Sequence, residues 1–165
     1  MVELSRQVLK HKQGRVIHSS MEEWESPHSF FHLVVSRLAI HYIKDIELLF
    51  HRFYRSLQQD GSFVFSVEHP VITSSHGFSQ PKGFKETWQV DQYFYTGARE
   101  QEWLGGTAIK YHRTIEDYFG ALQKAGFIIE SLRESKPMQK NFANIETYER
   151  RMRIPLFLFL KARKQ

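Results

Sequence analysis

The segment Phe30–Pro70, FFHLVVSRLAIHYIKDIELLFHRFYRSLQQDGSFVFSVEHP, constrains the fold more than any other part of the chain. Phe30–Ser36 is a continuous apolar run rich in Val, without period-2 alternation. Such a run predicts a strand buried on both faces, as in a parallel sheet. Asp45 then suits a helix N-cap, because its carboxylate can accept from the free N–H groups of the first turn. Ile46, Leu49, Phe50, Phe53 and Leu57 recur at helical spacing and predict one apolar stripe. Gly61 suits a left-handed stop, and Ser62–Val67 is the next strand. A strand, a crossover helix and a strand predict adjacent parallel neighbours.

Order returns further on. Residues 4–13 can form one short helix, and Arg15–Ser19 is a brief β-like run. Ser20–Ser29, with Pro27, reads as a connection. Thr114 can cap a helix, with Asp117 in a capping-box relation. Ile115, Phe119 and Leu122 are its inner stripe, and Gly126 ends it. Ile128–Leu132 and Ile154–Ala162 read as strands around a polar, irregular or weakly helical stretch, and they suit an antiparallel pair at one edge. Residues 71–109 show no clear period but hold glycines and the aromatics Trp88, Tyr93, Tyr95 and Trp103. A long aromatic insertion of this kind reads as a lid. The whole is an α/β chain of one domain, residues 1–165.

Composition excludes several function classes. The chain of 165 residues has no cysteine, so disulfides and thiolate metal sites are out. The nine histidines form no HExxH motif and no carboxylate–His pair at ligand spacing, so no metal is expected. No apolar run reaches the ~20 residues that span a bilayer. With no signal-like N-terminus, the expected place is the cytoplasm. The formal charge is +5, but the basic residues are dispersed apart from Arg150–Arg153 and Lys161–Lys164. A nucleic-acid partner is therefore not expected.

Residues 30–70 resemble the fourth-strand-to-fifth-strand region of class I S-adenosylmethionine-dependent methyltransferases of the type 11-like group. Members there read FDLV-x-S, a turn with leucine and histidine, a D-capped helix, L-K-P-G-G and an apolar strand. The order downstream, with an insertion, a helix ending in AGF and two closing strands, is similar as well. In this sequence His32 stands at the Asp of FDLV, and Leu57–Gly61, LQQDG, stands at L-K-P-G-G. The first strand, the G-x-G-x-G loop and the acidic end of the second strand have no counterpart.

The resemblance implies a Rossmann-like methyltransferase sheet, truncated at its N-terminus, with a lid and an antiparallel C-terminal strand pair. It implies S-adenosylmethionine as cofactor and a small molecule as methyl acceptor. Ser36 and Arg37 would lie near the methionine part of the cofactor, and Ser20 and Met21 near the adenine. His69 suits a general base, since its ordinary pKa lies near neutrality; alternatively, the EHP turn merely terminates the strand. Tyr93, Trp103, Tyr111, His112 and Arg113 are candidates for binding substrate. Trp88, Tyr93, Tyr95 and Trp103 would wall the site, Arg113 would take a substrate anion, and the alternative for each is packing or surface charge. A missing first strand would leave Leu33, Val34 and Val35 short of neighbours. That open edge would pair with a complementing N-terminal polypeptide or with another copy of the chain. A non-catalytic, methyltransferase-like binding subunit is the competing reading.

Overall fold

In the computed structural model, residues 2–74, 90–103 and 105–165 are described. The central unit is β1 (Phe31–Arg37), α2 (Ile46–Ser56) and β2 (Leu57–Glu68), following a first helix α1 (Val2–Leu9). β1 and β2 run parallel, with Val34 opposite Phe63 and Ser36 opposite Phe65. Asp45 caps α2 as its sequence position predicts, its side chain accepting from the Leu48 N–H at 2.9 Å. Ile46, Leu49, Phe50 and Phe53 are all buried.

A short helix α3 (Pro70–Thr73) follows β2, and a hairpin of β3 (Gly97–Trp103) and β4 (Gly106–His112) comes next. The chain closes with α4 (Ile115–Lys124), β5 (Phe127–Glu134), α5 (Ile145–Met152) and β6 (Phe157–Lys164). The main sheet has the order β1-β2-β6-β5. β6 is antiparallel to both β2 and β5. This is the mixed α/β, Rossmann-like class expected from alternating helices and strands.

One face of the sheet is the core. Phe63, Phe65 and Val67 of β2 and Leu158, Leu160 and Ala162 of β6 point to it and are buried. α2 and α4 cover that face. Phe50 and Phe53 meet the Phe63 ring at centroid distances of 5.3 and 5.1 Å, and Tyr118 of α4 lies 6.1 Å from Phe65. Edge-on and tilted aromatic contacts at these separations add to burial.

Several expectations need correction. β1 is not buried on both faces. It is an edge strand, with Leu33 54% and Val35 63% exposed, while Phe31 and Val34 pack against the core and Ser36 is buried. Gly61 does not stop α2 in a left-handed turn. α2 ends at Ser56, Leu57 is already extended, and the left-handed residue is Asp60, φ +61°. Glycine is needed at 61 for closeness instead, since a Cβ there would lie 2.8 Å from the Gln58 carbonyl oxygen. Arg15–Ser19 forms no strand. Phe119 is 39% exposed; Ile115 and Leu122 pack inward as expected, and Tyr118 and Ala121 complete the inner stripe of α4. Gly126 does close α4, at φ +96°. The polar stretch before β6 contains α5, capped by Asn144 accepting from Glu146 and Thr147. Trp88 and the Trp103 side chain lie outside the described residues.

Candidate functional site

The carboxyl ends of β1 and β2 lie side by side, where open α/β sheets bind ligands. β1 delivers Ser36 and Arg37 there. Ser36 is buried on the helix side and its Oγ has no hydrogen-bond partner, while Arg37 is exposed on the other face. An unpaired buried hydroxyl costs on the order of 1–3 kcal/mol. Leu38 comes next with φ +50°, a conformation that a branched side chain rarely adopts. Its N–H donates to the Ser66 carbonyl at 3.0 Å and to Ser66 Oγ at 3.2 Å, which holds the turn in place. Strained backbone of this kind clusters at ligand sites.

A 3-10 turn, Ile40–Tyr42, then places His41 under the end of β2. His41 is buried, and its Nδ1 accepts from the Glu68 N–H at 3.4 Å. Burial pushes the His41 pKa down to about 4; Glu68 opposes the shift, and Lys110 and Arg113 reinforce it. His41 is therefore neutral at pH 7.

β2 delivers Glu68 and His69. Lys110 Nζ of β4 donates to Glu68 Oε1 at 2.6 Å and to Gln101 Oε1 at 2.7 Å. His69 caps α3, its Nδ1 accepting from the Val71 N–H at 3.2 Å. The proton therefore sits on Nε2, which donates to Glu134 Oε1 at 2.9 Å. Burial lowers the His69 pKa, and Glu134 counters it. With both nitrogens engaged, His69 could act as a base only by releasing one partner.

The hairpin lies over these strand ends, β4 packing against the 3-10 turn and α3. His112 is fully buried. Its Nε2–H donates to the Tyr93 carbonyl at 2.9 Å, and its Nδ1 accepts from Thr73 Oγ1 at 2.7 Å. Burial lowers its pKa too. The Tyr93 ring lies 5.9 Å from the His112 ring. Arg113 donates from Nη2 to the carbonyls of Ile43 and Lys44, at 2.8 and 2.6 Å, which ties β4 to the turn before α2. Its guanidinium lies 5.6 Å from the Tyr111 ring. Tyr111, His112 and Arg113 border a cleft of about 800 Å³, which Lys44, Glu47 and Lys124 also line.

Ser20 is exposed and its Oγ accepts from the Glu23 N–H at 3.1 Å, forming a turn. Met21 packs against the core. Sequence reasoning missed Arg99, Glu68 as the partner of Lys110, and Glu134 as the partner of His69. The last two pairs are 42 and 65 residues apart, beyond any local pattern. Among the described residues, no group of three or more His, Asp or Glu could hold a metal ion. No described helix is long and apolar enough to cross a membrane.

A methyltransferase-domain family model matches residues 1–65. An uncharacterized protein of Haemophilus influenzae Rd is 31% identical over 144 residues, which cover 85% of this chain and 56% of that protein. The chain thus spans little more than half the length of that curated relative. A crystal structure assigned as an S-adenosylmethionine-dependent methyltransferase from Listeria monocytogenes is 30% identical, with a TM-score of 0.85, and the alignment covers 99% of this chain and 76% of that one. An S-adenosylmethionine-dependent methyltransferase from Mesorhizobium loti is 29% identical, also with a TM-score of 0.85, over 98% and 75% of the two chains.

Proposed function

Because the chain belongs to the S-adenosylmethionine-dependent methyltransferase family, we propose that it forms the acceptor-side part of a domain that methylates a small molecule. The observation that carries this is the pair of adjacent parallel strand ends: Ser36, with its unpartnered hydroxyl, near the end of β1, and Glu68, held by Lys110 of the β3–β4 hairpin, at the end of β2. Methyl transfer needs chiefly in-line positioning of two reactants, so a site without a free base is no obstacle. The cofactor, when bound, supplies the electrophilic methyl group.

The residues present fit only one end of that cofactor. Ser36 can accept or donate at the methionine end, and Arg37 offers a cation there. The sequence has no G-x-G-x-G loop for close backbone approach. The open flank of β1, where Leu33 and Val35 are exposed, is where a further strand would add. In this reading a glycine-loop segment completes the site through that edge. Joining such a segment from a family member ahead of residue 2 should raise S-adenosylmethionine affinity by roughly a thousandfold. Unchanged affinity would count against the reading.

The same edge supports a second reading, a non-catalytic subunit that pairs with another copy. A stable dimer dispersed by Val35→Lys, together with a chimera that binds no S-adenosylmethionine, would favour it.

A further inference from the structure

The β3–β4 hairpin is amphipathic in reverse. Gln101, Arg99 and Gly97 stand opposite Ala108, Lys110 and His112 on the face turned to the sheet. Arg99 is 7% exposed, Lys110 2% and His112 0%, while Ile109 on the outer face is 50% exposed. A hairpin that only covered a core would place its apolar side chains inward.

Arg99 and Lys110 are directly opposite in register, and like charges so placed repel. Lys110 is neutralised by Glu68. Arg99 has no carboxylate partner among the described residues. Its Nη1 and Nη2 donate to the carbonyls of Ala98 and Tyr95, and its Nε is buried without any partner. The guanidinium stays charged when buried. Arg113, pinned nearby by the Ile43 and Lys44 carbonyls, adds to the positive field that His112 experiences. A buried cation without a counter-ion is costly, and it persists where something else supplies the negative charge.

We propose that Arg99 binds an oxyanion, a carboxylate or phosphate carried by the methyl acceptor, held under the hairpin. The assignment to the acceptor rests on the methyltransferase reading; the oxyanion site itself does not.

The test is thermal unfolding of the 165-residue chain with inorganic phosphate or malonate, at ionic strength matched with sodium chloride. Malonamide is the neutral control. Both anions should raise Tm saturably, and malonamide should not. Arg99→Met should weaken the apparent anion affinity about tenfold or more. It should also leave Tm without anion equal or higher, since a buried charge is replaced by an apolar chain. Should the Met variant fail to fold, Arg99→Lys keeps the charge but loses the planar fork, and it should show the same weakened response.

Three results overturn the site: no anion response in the wild type, an undiminished response in both variants, or a fall in Tm on Arg99→Met with the response intact. S-adenosylmethionine titration of the same variants separates the two readings. Cofactor affinity unchanged by Arg99→Met supports the acceptor. Affinity lost with it overturns the acceptor and gives Arg99 to the cofactor's own carboxylate. Absence of cofactor binding by the glycine-loop chimera alongside an intact anion response overturns the methyl-transfer reading but not the anion site.

Discussion

At the scale of single residues, the polar side chains around the strand ends divide by what they touch. His41 is set to be neutral by burial, with a folded pKa of about 4 against an ordinary 6.5. Its folded pKa is depressed, so the stability it contributes is full above pH 6.5 and is lost as pH falls towards 4. At 1.36 kcal/mol per unit, the loss is roughly 3 kcal/mol. His41→Asn keeps an acceptor near the Nδ1 position and cannot titrate. Urea unfolding from pH 7 to 4 should therefore fall less steeply for the variant than for the wild type. Parallel pH profiles would contradict the neutral, buried imidazole. The caps at Asp45 and at Thr114 with Asp117 were legible in sequence because each acts within its own first turn. Loss of the first, Asp45→Ala, should cost about 1 kcal/mol in urea unfolding. Arg99 was not legible, since a lone Arg in GAREQEW reads as surface until its burial is known.

At the scale of elements, β1 and β2 show why the sheet was half readable. The apolar runs identify both strands, and the helix between them makes the pair parallel. What the run Phe30–Ser36 cannot reveal is which of its faces meets another element. Val34 turns to α2 and α4, while Leu33 and Val35 turn away. Phe63→Ala, in the aromatic cluster, should destabilise by about 3–5 kcal/mol. Val35→Thr should change stability by less than about 0.5 kcal/mol. Equal costs in urea unfolding would mean that β1 is covered in solution. The β3–β4 hairpin escaped reading for the opposite reason: its buried face is polar, so its alternation carries no apolar signal. Gly61 misled because a glycine near a helix end can serve close packing rather than a left-handed turn.

At the scale of the described sheet, the strand ends carry one buried orphan hydroxyl, with a polar hairpin tied to β2 through Lys110 and Glu68; in the proposed reading these residues serve one end of a cofactor. Two or three charge-assisted contacts of about 1.5–3 kcal/mol each belong to the other end. In that reading, these 165 residues tested alone lack such contacts, which would remove on the order of 5 kcal/mol and take a micromolar site to about millimolar at ~1.4 kcal/mol per tenfold. The most direct test is a titration of the isotope-labelled chain with S-adenosylmethionine, followed by amide NMR shifts. The account predicts saturable shifts at Ser36, Arg37 and Leu38, with a dissociation constant on the order of millimolar. Micromolar binding, or shifts confined to residues away from the ends of β1 and β2, would contradict it.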